Sequence, residues 1–386
     1  MFYPRVVAPK TGSRNLEWRV SKGLGTVYAT TTTTDVARDK GPASRSPAAV
    51  RFFVINRTRK GHIMGIASTA PFISKLMETS MKRLILFCMA MAISAAASAQ
   101  QYPNKPIRFI SPNAPGGANS VLGQLFGQKL GEAMGQNVIV ENRAGGNTVI
   151  GSSAVAKAAP DGYTFLLMSS SHMIVPQLLS APYDAIADFT PVGTFSSTEQ
   201  LLVAHPSLVA NSLGELIAMA KAKPGTLNYA SSGGGSVTHL AGELFEIMAG
   251  VDMQHIAYKG GGPALIDLMG GQVHLLFITP PAAMPHLKSG KIKAIAVSGG
   301  KRMASLPQVP TFAQGGLPGY GVTVWFGMIG PPNMPKPIVD KVSNELARIL
   351  TLPDVKEKLA SLGMDPFIST PENFLALMKS DYAKYG

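Results

Sequence analysis

From Ile107 onward, short apolar runs rich in β-branched and aromatic residues alternate with segments in which apolar residues recur at helical spacing. The first unit is a strand from Ile107 to Ile110, a helix that stops at Gly135, and a strand that resumes at Val138. Repeated strand–helix units place helices against sheets whose strands run mostly in parallel. The sequence therefore predicts an α/β fold with mostly parallel sheets.

Two stretches interrupt this alternation and predict crossings between domains. The first lies around Val203 to Pro206, and the second is the long apolar strand that starts near Val322. Two crossings imply one discontinuous domain and one inserted domain with a cleft between them. We expect residues 100–203 and 325–386 to form domain 1, and residues 204–324 to form domain 2.

Two helices carry local signals. Ser212 followed by Glu215 predicts a capping box at the start of one helix. The next helix is expected to bury one apolar face, formed by Leu240, Leu244, Phe245 and Met248.

A targeting segment precedes this region. Met81-Lys82-Arg83 is followed by fourteen residues that are apolar apart from Ser94, and then by Ala97-Ser98-Ala99. Fourteen helical residues cover roughly 21 Å, less than the ~30 Å hydrocarbon core of a bilayer. The segment 81–99 is therefore predicted to be a secretory signal peptide, and the periplasm is the expected location.

Residues 1–80 show no sustained helical or strand period and stand before a segment that normally begins a chain. We expect them to be a non-native extension from a start codon assigned too far upstream, or else a disordered basic arm. The only cysteine, Cys88, lies inside the signal peptide. The exported protein is therefore expected to have no disulfide, thiolate metal site or cysteine nucleophile.

The net charge of +13 is unevenly distributed. Residues 1–80 hold 13 basic and 4 acidic side chains, whereas residues 100–386 hold 20 basic and 18 acidic ones. Phosphate backbones are bound by clustered cations, which this nearly neutral region does not supply. No nucleic-acid partner is expected.

Small polar residues follow the predicted strands. Ligands of open α/β sheets lie at the carboxyl ends of strands, and the free N–H groups of a following helix favour an anion. Hydrogen bonds to a charged group contribute about 1.5 to 3 kcal/mol each, so four to six of them are enough for a small carboxylate without an arginine. The loops are 113–117, 169–171, 231–236, 259–262 and 279–281.

Other chemistries lack their motifs. Neither phosphate-binding glycine signature occurs, no serine lies in G-x-S-x-G, and the histidines have no metal-ligand spacing. We therefore expect no cofactor, no metal and no enzymatic activity. Two alternatives remain: an exported hydrolase or lyase that uses Ser236 and His239, and a structural envelope protein without a small ligand. Lys259 is a possible partner for a ligand carboxylate.

Seven runs, in order from Tyr102 to the C-terminus, resemble the receptors of the tripartite tricarboxylate transporter family, also called Bug proteins. The runs are Pro106-Ile107-Arg108, Ala114-Pro115-Gly116-Gly117, Val140-Glu141-Asn142-Arg143, Ala159-Pro160-Asp161-Gly162-Tyr163, Leu240-Ala241-Gly242-Glu243-Leu244-Phe245, Tyr258-Lys259-Gly260 and Leu317-Pro318-Gly319-Tyr320.

The resemblance implies a two-domain periplasmic binding protein fold, type II-like, that closes like a Venus flytrap on a small carboxylate. It implies delivery of that solute to the membrane subunits of a tripartite transporter, and we expect a monomer. Asn119-Ser120 stands where the family commonly has Thr-Asp, so a more highly charged anion is expected to be accepted. The ligand-binding residues implied by the motifs are Gly116, Gly117, Ser120, Ser170, Ser171, Ser232, Ser236, Thr238, His239 and Thr279.

Overall fold

The computed structural model describes residues 102–385 and three short strands nearer the N-terminus. Those strands form an antiparallel sheet in a first compact unit, residues 1–99, and are β1 (Asn15–Glu17), β2 (Tyr28–Thr30) and β3 (Phe52–Phe53). The predicted signal peptide and Cys88 lie outside the described residues, so both assignments stay predictions. Residues 100–386 form a second compact unit.

Within 102–385 the structure has eleven further strands. They are β4 (Ile107–Ser111), β5 (Val138–Asn142), β6 (Thr164–Ser169), β7 (Thr190–Glu199), β8 (Leu201–Ala204), β9 (Asn228–Ser231), β10 (Gln254–Ala257), β11 (Leu275–Ile278), β12 (Lys293–Val297), β13 (Thr323–Gly330) and β14 (Asp365–Pro366).

The same region has ten α-helices and one 3₁₀ turn, Gly146–Thr148. The helices are α1 (Ala118–Met134), α2 (Val149–Ala156), α3 (Ser171–Leu178), α4 (Leu213–Ala222), α5 (Val237–Ala249), α6 (Gly261–Met269), α7 (Pro280–Lys288), α8 (Lys336–Thr351), α9 (Pro353–Ser361) and α10 (Pro371–Tyr385). None of the helices in the described residues combines the length and the apolar character that a membrane crossing requires.

The strands of residues 102–385 form two sheets, each the centre of one lobe. The first lobe has the order β14-β7-β13-β6-β4-β5, and the second has β10-β9-β11-β8-β12. Strand β4 runs parallel to β5 and β6, and β9 runs parallel to β10 and β11. Strands β8 and β13 run antiparallel to their neighbours. The sheets thus contain more antiparallel strand pairs than the sequence predicts. Strands β8 and β13, which form most of these pairs, are each the first strand after the chain crosses from the other lobe.

The two crossings lie side by side. Strand β7 ends at Glu199 and β8 begins at Leu201, so the chain changes sheets at Gln200. The Gln200 N–H donates to Ser298 Oγ at 2.8 Å, and that hydroxyl donates to the Val322 carbonyl at 2.5 Å, next to the start of β13. Ser298 therefore joins both connections between the lobes. The predicted domain limits lie after residues 203 and 324, near these two changes of sheet. The limits themselves stay predictions.

Aromatic side chains fill both cores. In the first lobe, Phe126 lies 4.8 Å from Phe195, and both side chains are buried. In the second lobe, Tyr229 lies beneath α5, and a Cβ at Gly242 would be 2.2 Å from its ring. Small residues thus let α5 approach the sheet closely.

The buried face of α5 consequently differs from the predicted one. It consists of Val237, Ala241, Phe245 and Ala249, while Leu240, Leu244 and Met248 are only partly buried.

Candidate functional site

A cavity lies between the lobes, and the first residues of five helices form much of its wall. Its volume, measured as space open to the centre of a water molecule, is about 50 Å³. One water needs roughly 10 to 15 Å³ on this measure, so the cavity suits a compact solute. The residues from helix starts are Gly117, Ala118 and Asn119 of α1, Ser171 of α3, Ser236, Val237 and Thr238 of α5, Gly261 of α6, and Thr279 and Ala282 of α7.

The electric field of this cavity comes from the backbone. A helix leaves its first N–H groups without intrahelical acceptors, and its dipole adds a partial positive charge at that end. Among the residues 102–385, those that line the cavity include no Lys, Arg, His, Asp or Glu. Apolar side chains complete the wall: Val175, Ile278, Val324 and Phe326.

Asparagine side chains hold the loop before α1. The Asn119 amide donates to Asn113 Oδ1 at 3.1 Å and to the Leu167 carbonyl at 3.0 Å. The Asn142 amide donates to the Asn113 carbonyl at 2.9 Å and to Ser120 Oγ at 2.8 Å. Ser120 therefore bonds to Asn142 and is not part of the cavity wall, whereas Asn113 and Asn119 are.

Three hydroxyls form a network in the loop before α5. Ser236 Oγ donates to the Gly233 carbonyl at 2.7 Å and lies 2.9 Å from Thr238 Oγ1. Thr238 Oγ1 also lies 2.9 Å from Ser232 Oγ and accepts the Ser232 N–H at 2.9 Å. Ser232, Ser236 and Thr238 all line the cavity. Their mutual bonds fix the directions in which the hydroxyls face a ligand.

His239 braces this loop from outside the cavity wall. Its Nδ1 accepts the Gly235 N–H at 3.1 Å, and its Nε2 lies 3.1 Å from Glu243 Oε1. The ring stacks on His255 at 3.9 Å, and His255 Nε2 lies 2.7 Å from Ser231 Oγ. Burial, and then proximity to His239, lowers the pKa of His255 to about 4. This histidine pair therefore supports both ends of the loop.

Among residues 102–385, no imidazole ring bonds to the Ser236 hydroxyl. This hydroxyl accepts the backbone N–H of His239 at 3.2 Å, while both ring nitrogens of His239 face Gly235 and Glu243. A serine nucleophile needs a base that can take its proton. The enzyme alternative has no support from this geometry.

Six of the ten residues implied by the motifs line the cavity: Gly117, Ser171, Ser232, Ser236, Thr238 and Thr279. Gly116, Ser120, Ser170 and His239 do not. Ser170 is 1% exposed, and its hydroxyl has no hydrogen-bond partner among the described residues. Ligand contact by any of the ten stays a prediction.

Sequence reasoning missed Asn147 and Thr148, which line the cavity from the turn before α2. The turn was signalled by Gly145-Gly146-Asn147, because such clusters mark positions of unusual backbone conformation.

The lobes touch at the edge of the cavity. The Ala114 N–H donates to the Lys259 carbonyl at 2.9 Å, and the Val237 N–H donates to Ser171 Oγ at 3.1 Å. A Cβ added at Gly262 would lie 2.1 Å from the Pro115 carbonyl oxygen. The structure is therefore a closed one. The Lys259 side chain is not part of the cavity wall.

Residues 102–385 contain no group of three or more His, Cys, Asp or Glu side chains placed to hold a metal ion. The donors at the cavity are amide and hydroxyl groups, which suit an organic anion better than a transition metal.

A family model described as "Tripartite tricarboxylate transporter family receptor" matches residues 124–386. The chain belongs to this family. BugT of Bordetella pertussis is 38% identical to this receptor over 290 residues, which cover 74% of this chain and 89% of BugT. The receptor assignment predicted from the sequence is thus confirmed.

Solved structures of similar proteins share the fold of this receptor. An R. palustris protein solved with adipate is 33% identical, with a TM-score of 0.72, and the match covers 74% of this chain and 96% of that one. The periplasmic binding protein BugD is 32% identical, with a TM-score of 0.71 and the same two coverages. MatC of Rhodopseudomonas palustris, with bound malate, is 29% identical, with a TM-score of 0.69 and coverages of 74% and 98%.

These relatives confirm the two-domain periplasmic binding protein fold. The family consists of solute receptors rather than enzymes, which agrees with the predicted absence of catalysis.

Proposed function

We propose that this receptor binds a small carboxylate in the cavity between its lobes. The observation that carries the proposal is the convergence of five helix N-termini on one wall without charged side chains. Backbone N–H groups and hydroxyls placed in this way favour an anion. The adipate and malate of the two similar structures are dicarboxylates, which agrees with this ligand class.

The affinity of such a site depends on the number of its hydrogen-bond donors. Each hydrogen bond to a carboxylate contributes about 1.5 to 3 kcal/mol net. Micromolar affinity corresponds to about 8 kcal/mol, so a handful of donors is enough once association costs of at least ~4 kcal/mol are met. The six predicted residues in the wall supply backbone N–H groups and five hydroxyls, of which the Ser236 hydroxyl already donates its proton to the Gly233 carbonyl.

The ten predicted residues have two proposed roles. Gly117, Ser171, Ser232, Ser236, Thr238 and Thr279 contact the carboxylate, while Gly116, Ser120, Ser170 and His239 shape the loops that carry them.

Export and delivery complete the proposal. The chain is secreted through the signal peptide at 81–99, acts as a monomer in the periplasm, and presents the closed, loaded form to membrane subunits of a tripartite transporter. N-terminal sequencing of the native protein tests the export step: a start at Gln100 supports it, and any residue before Met81 contradicts the expected non-native extension.

A thermal-shift panel tests the binding step. A ligand that binds only the folded protein raises the free energy of unfolding by mass action, by about 2.7 kcal/mol at a ligand concentration a hundredfold above Kd. The melting temperature rises with it. We expect saturable stabilisation by at least one di- or tricarboxylate, without consumption of the compound. Thr238→Val should weaken the effect, and Thr351→Val, at an exposed position of α8, is the matched control. A flat response across the panel would contradict the proposal.

A further inference from the structure

An open groove lies on the second lobe, apart from the cavity between the lobes. Its volume, measured as space open to the centre of a water molecule, is about 380 Å³. The end of α7, the start of β12 and the loop 305–309 form its walls, and within 102–385 none of its lining residues lines the cavity. Helix α7 begins at the cavity and ends at the groove, and its nine residues span about 13 Å. The groove is therefore a separate feature, joined to the cavity by one helix.

One wall of the groove is the open edge of a sheet. Strand β12 is the last strand of its sheet, and β8 pairs with one side of it. On the other side, the Val297 N–H donates to the Pro310 carbonyl at 2.9 Å, and the Val297 carbonyl accepts the Phe312 N–H at 3.1 Å. In the described part of the chain, residues 293–296 make no such backbone bond on that side. An edge of this kind can pair with a further strand.

The groove carries positive charge. No acidic residue occurs from residue 268 to residue 339, whereas the same stretch holds six Lys or Arg residues. Two of them, Lys288 and Lys293, line the groove, and Lys288 is exposed. Lys293 Nζ donates to the Leu208 carbonyl and, at 2.7 Å, to Asn211 Oδ1, and both acceptors are uncharged. Among residues 102–385 neither lysine forms an ion pair. The protein itself therefore leaves this charge without a counter-charge.

Charge and shape together select the occupant. Residues 1–80 hold 13 basic and 4 acidic side chains, so the groove repels this part of the chain. A second copy that docks through the same face would bring the same lysines, and such like charges keep sheet edges apart. A membrane surface is broad and cannot enter a groove that runs along one strand. An extended segment with acidic side chains meets both conditions, because it can pair with the edge and supply carboxylates.

We propose that this groove docks an extended acidic segment of another protein as an added strand beside β12. The segment forms backbone hydrogen bonds along residues 293–296, and Lys288 pairs with one of its carboxylates. This role goes beyond solute binding and does not depend on which solute occupies the cavity.

Amide hydrogen exchange on the full chain tests the docking, read in the peptic fragments that cover residues 293–296. The readout is local because the basic N-terminal residues also attract acidic peptides. The probes are three pools of nine-residue peptides in which Val, Ile or Thr alternates with Glu or Asp, with Lys or Arg, or with Ser or Gln. We expect the acidic pool to slow exchange at 293–296 at concentrations at least tenfold lower than the neutral pool. The difference should narrow when salt rises from about 0.05 M to about 0.5 M, and the basic pool should have no effect.

Two variants test the assigned groove. Lys288→Glu reverses a charge in its wall and should raise the half-saturating concentration of the acidic pool by about tenfold or more. Gln308→Trp, at an exposed position of the opposite wall, places an indole over the groove and should have a similar effect without a change of charge. Lys379→Glu, at an exposed position of α10 in the first lobe, is the matched control and should change nothing. Circular dichroism and melting temperature check that each variant is folded.

Several results would overturn the inference. Equal effects of the acidic and neutral pools, or no effect of any pool, would exclude an acidic segment as the occupant. Protection by phosphatidylglycerol vesicles but not by peptides would make the membrane the occupant. Exchange at 293–296 that is as slow as in the central strand β11 before any addition would mean that a second copy or another part of this chain already covers the edge. A wild-type response in Lys288→Glu or Gln308→Trp would place the peptides outside the groove.

Discussion

His172, on α3 directly after the cavity residue Ser171, should make the protein sensitive to acid. The ring is buried between Tyr183 and Phe189, with centroid distances of 5.5 and 4.8 Å. Its Nε2 lies 3.2 Å from the Ala185 carbonyl and its Nδ1 lies 3.3 Å from Ser152 Oγ. Burial lowers the pKa of His172 from 6.5 to about 4, and the bond to the Ala185 carbonyl only partly opposes this shift.

The sign and size of the effect follow from proton linkage. Between pH 6.5 and 4 the unfolded chain binds a proton at this histidine while the folded protein does not, so the stability contribution falls as pH falls. A difference of about 2.5 pH units corresponds to about 3 kcal/mol. This contribution is fully present above pH 6.5 and is lost as pH approaches 4.

Urea unfolding at a series of pH values between 4 and 7.5 measures the contribution. His172→Gln keeps polar atoms at the site but does not titrate, so the difference in unfolding free energy between wild type and variant should shrink by about 3 kcal/mol as pH falls from 7.5 to 4. His286→Gln, near the end of α7, is the control for loss of a histidine elsewhere. Parallel stability profiles for wild type and His172→Gln would refute the reasoning.

Three further outcomes are expected. Gly262→Ala should weaken carboxylate binding, measured by calorimetry, by about 5- to 150-fold, because its Cβ would clash with the Pro115 carbonyl in the closed structure. The melting temperature of the free protein should stay the same, which melting curves check. In a Trp18→Phe background, ligand should change the fluorescence of Trp325, whose indole N–H donates to a carboxylate of α10; an unchanged spectrum with proven binding argues against movement at β13. Ser212→Ala should cost about 1 kcal/mol in urea unfolding, because Ser212 Oγ caps α4.

Most of the fold could be predicted from the spacing of apolar residues along the sequence. Gly135 ends α1 in the left-handed conformation, as predicted, and Ser212 accepts the Glu215 N–H at 3.2 Å as a helix cap. The second bond of the predicted capping box differs by one residue, because the Glu215 carboxylate accepts the N–H of Asn211 rather than that of Ser212. Such one-residue differences depend on exact backbone angles, which side-chain patterns do not encode.

Only part of the candidate site could be predicted from the sequence. The strand-end loops contain five of the six predicted residues of the cavity wall, because topology brings such loops to one edge, whereas Thr238 was implied only by the family resemblance. Asn147 and Thr148 were missed, since they reach the cavity through four residues of unusual φ rather than through a strand end. His239 is implied at the ligand by the resemblance, and in the structure its ring lies outside the cavity wall, stacked on His255 and near Glu243. The contact with His255 joins two segments that are separate in the sequence, so local patterns do not show it.

Ser298 gives the two lobes a common pivot. Because one hydroxyl holds both connecting segments, bending one segment without the other would break a hydrogen bond on a side chain that is 1% exposed. A movement that bends both segments together about this serine keeps both hydrogen bonds, so we expect the lobes to open by such a joint rotation rather than by sliding of one segment past the other.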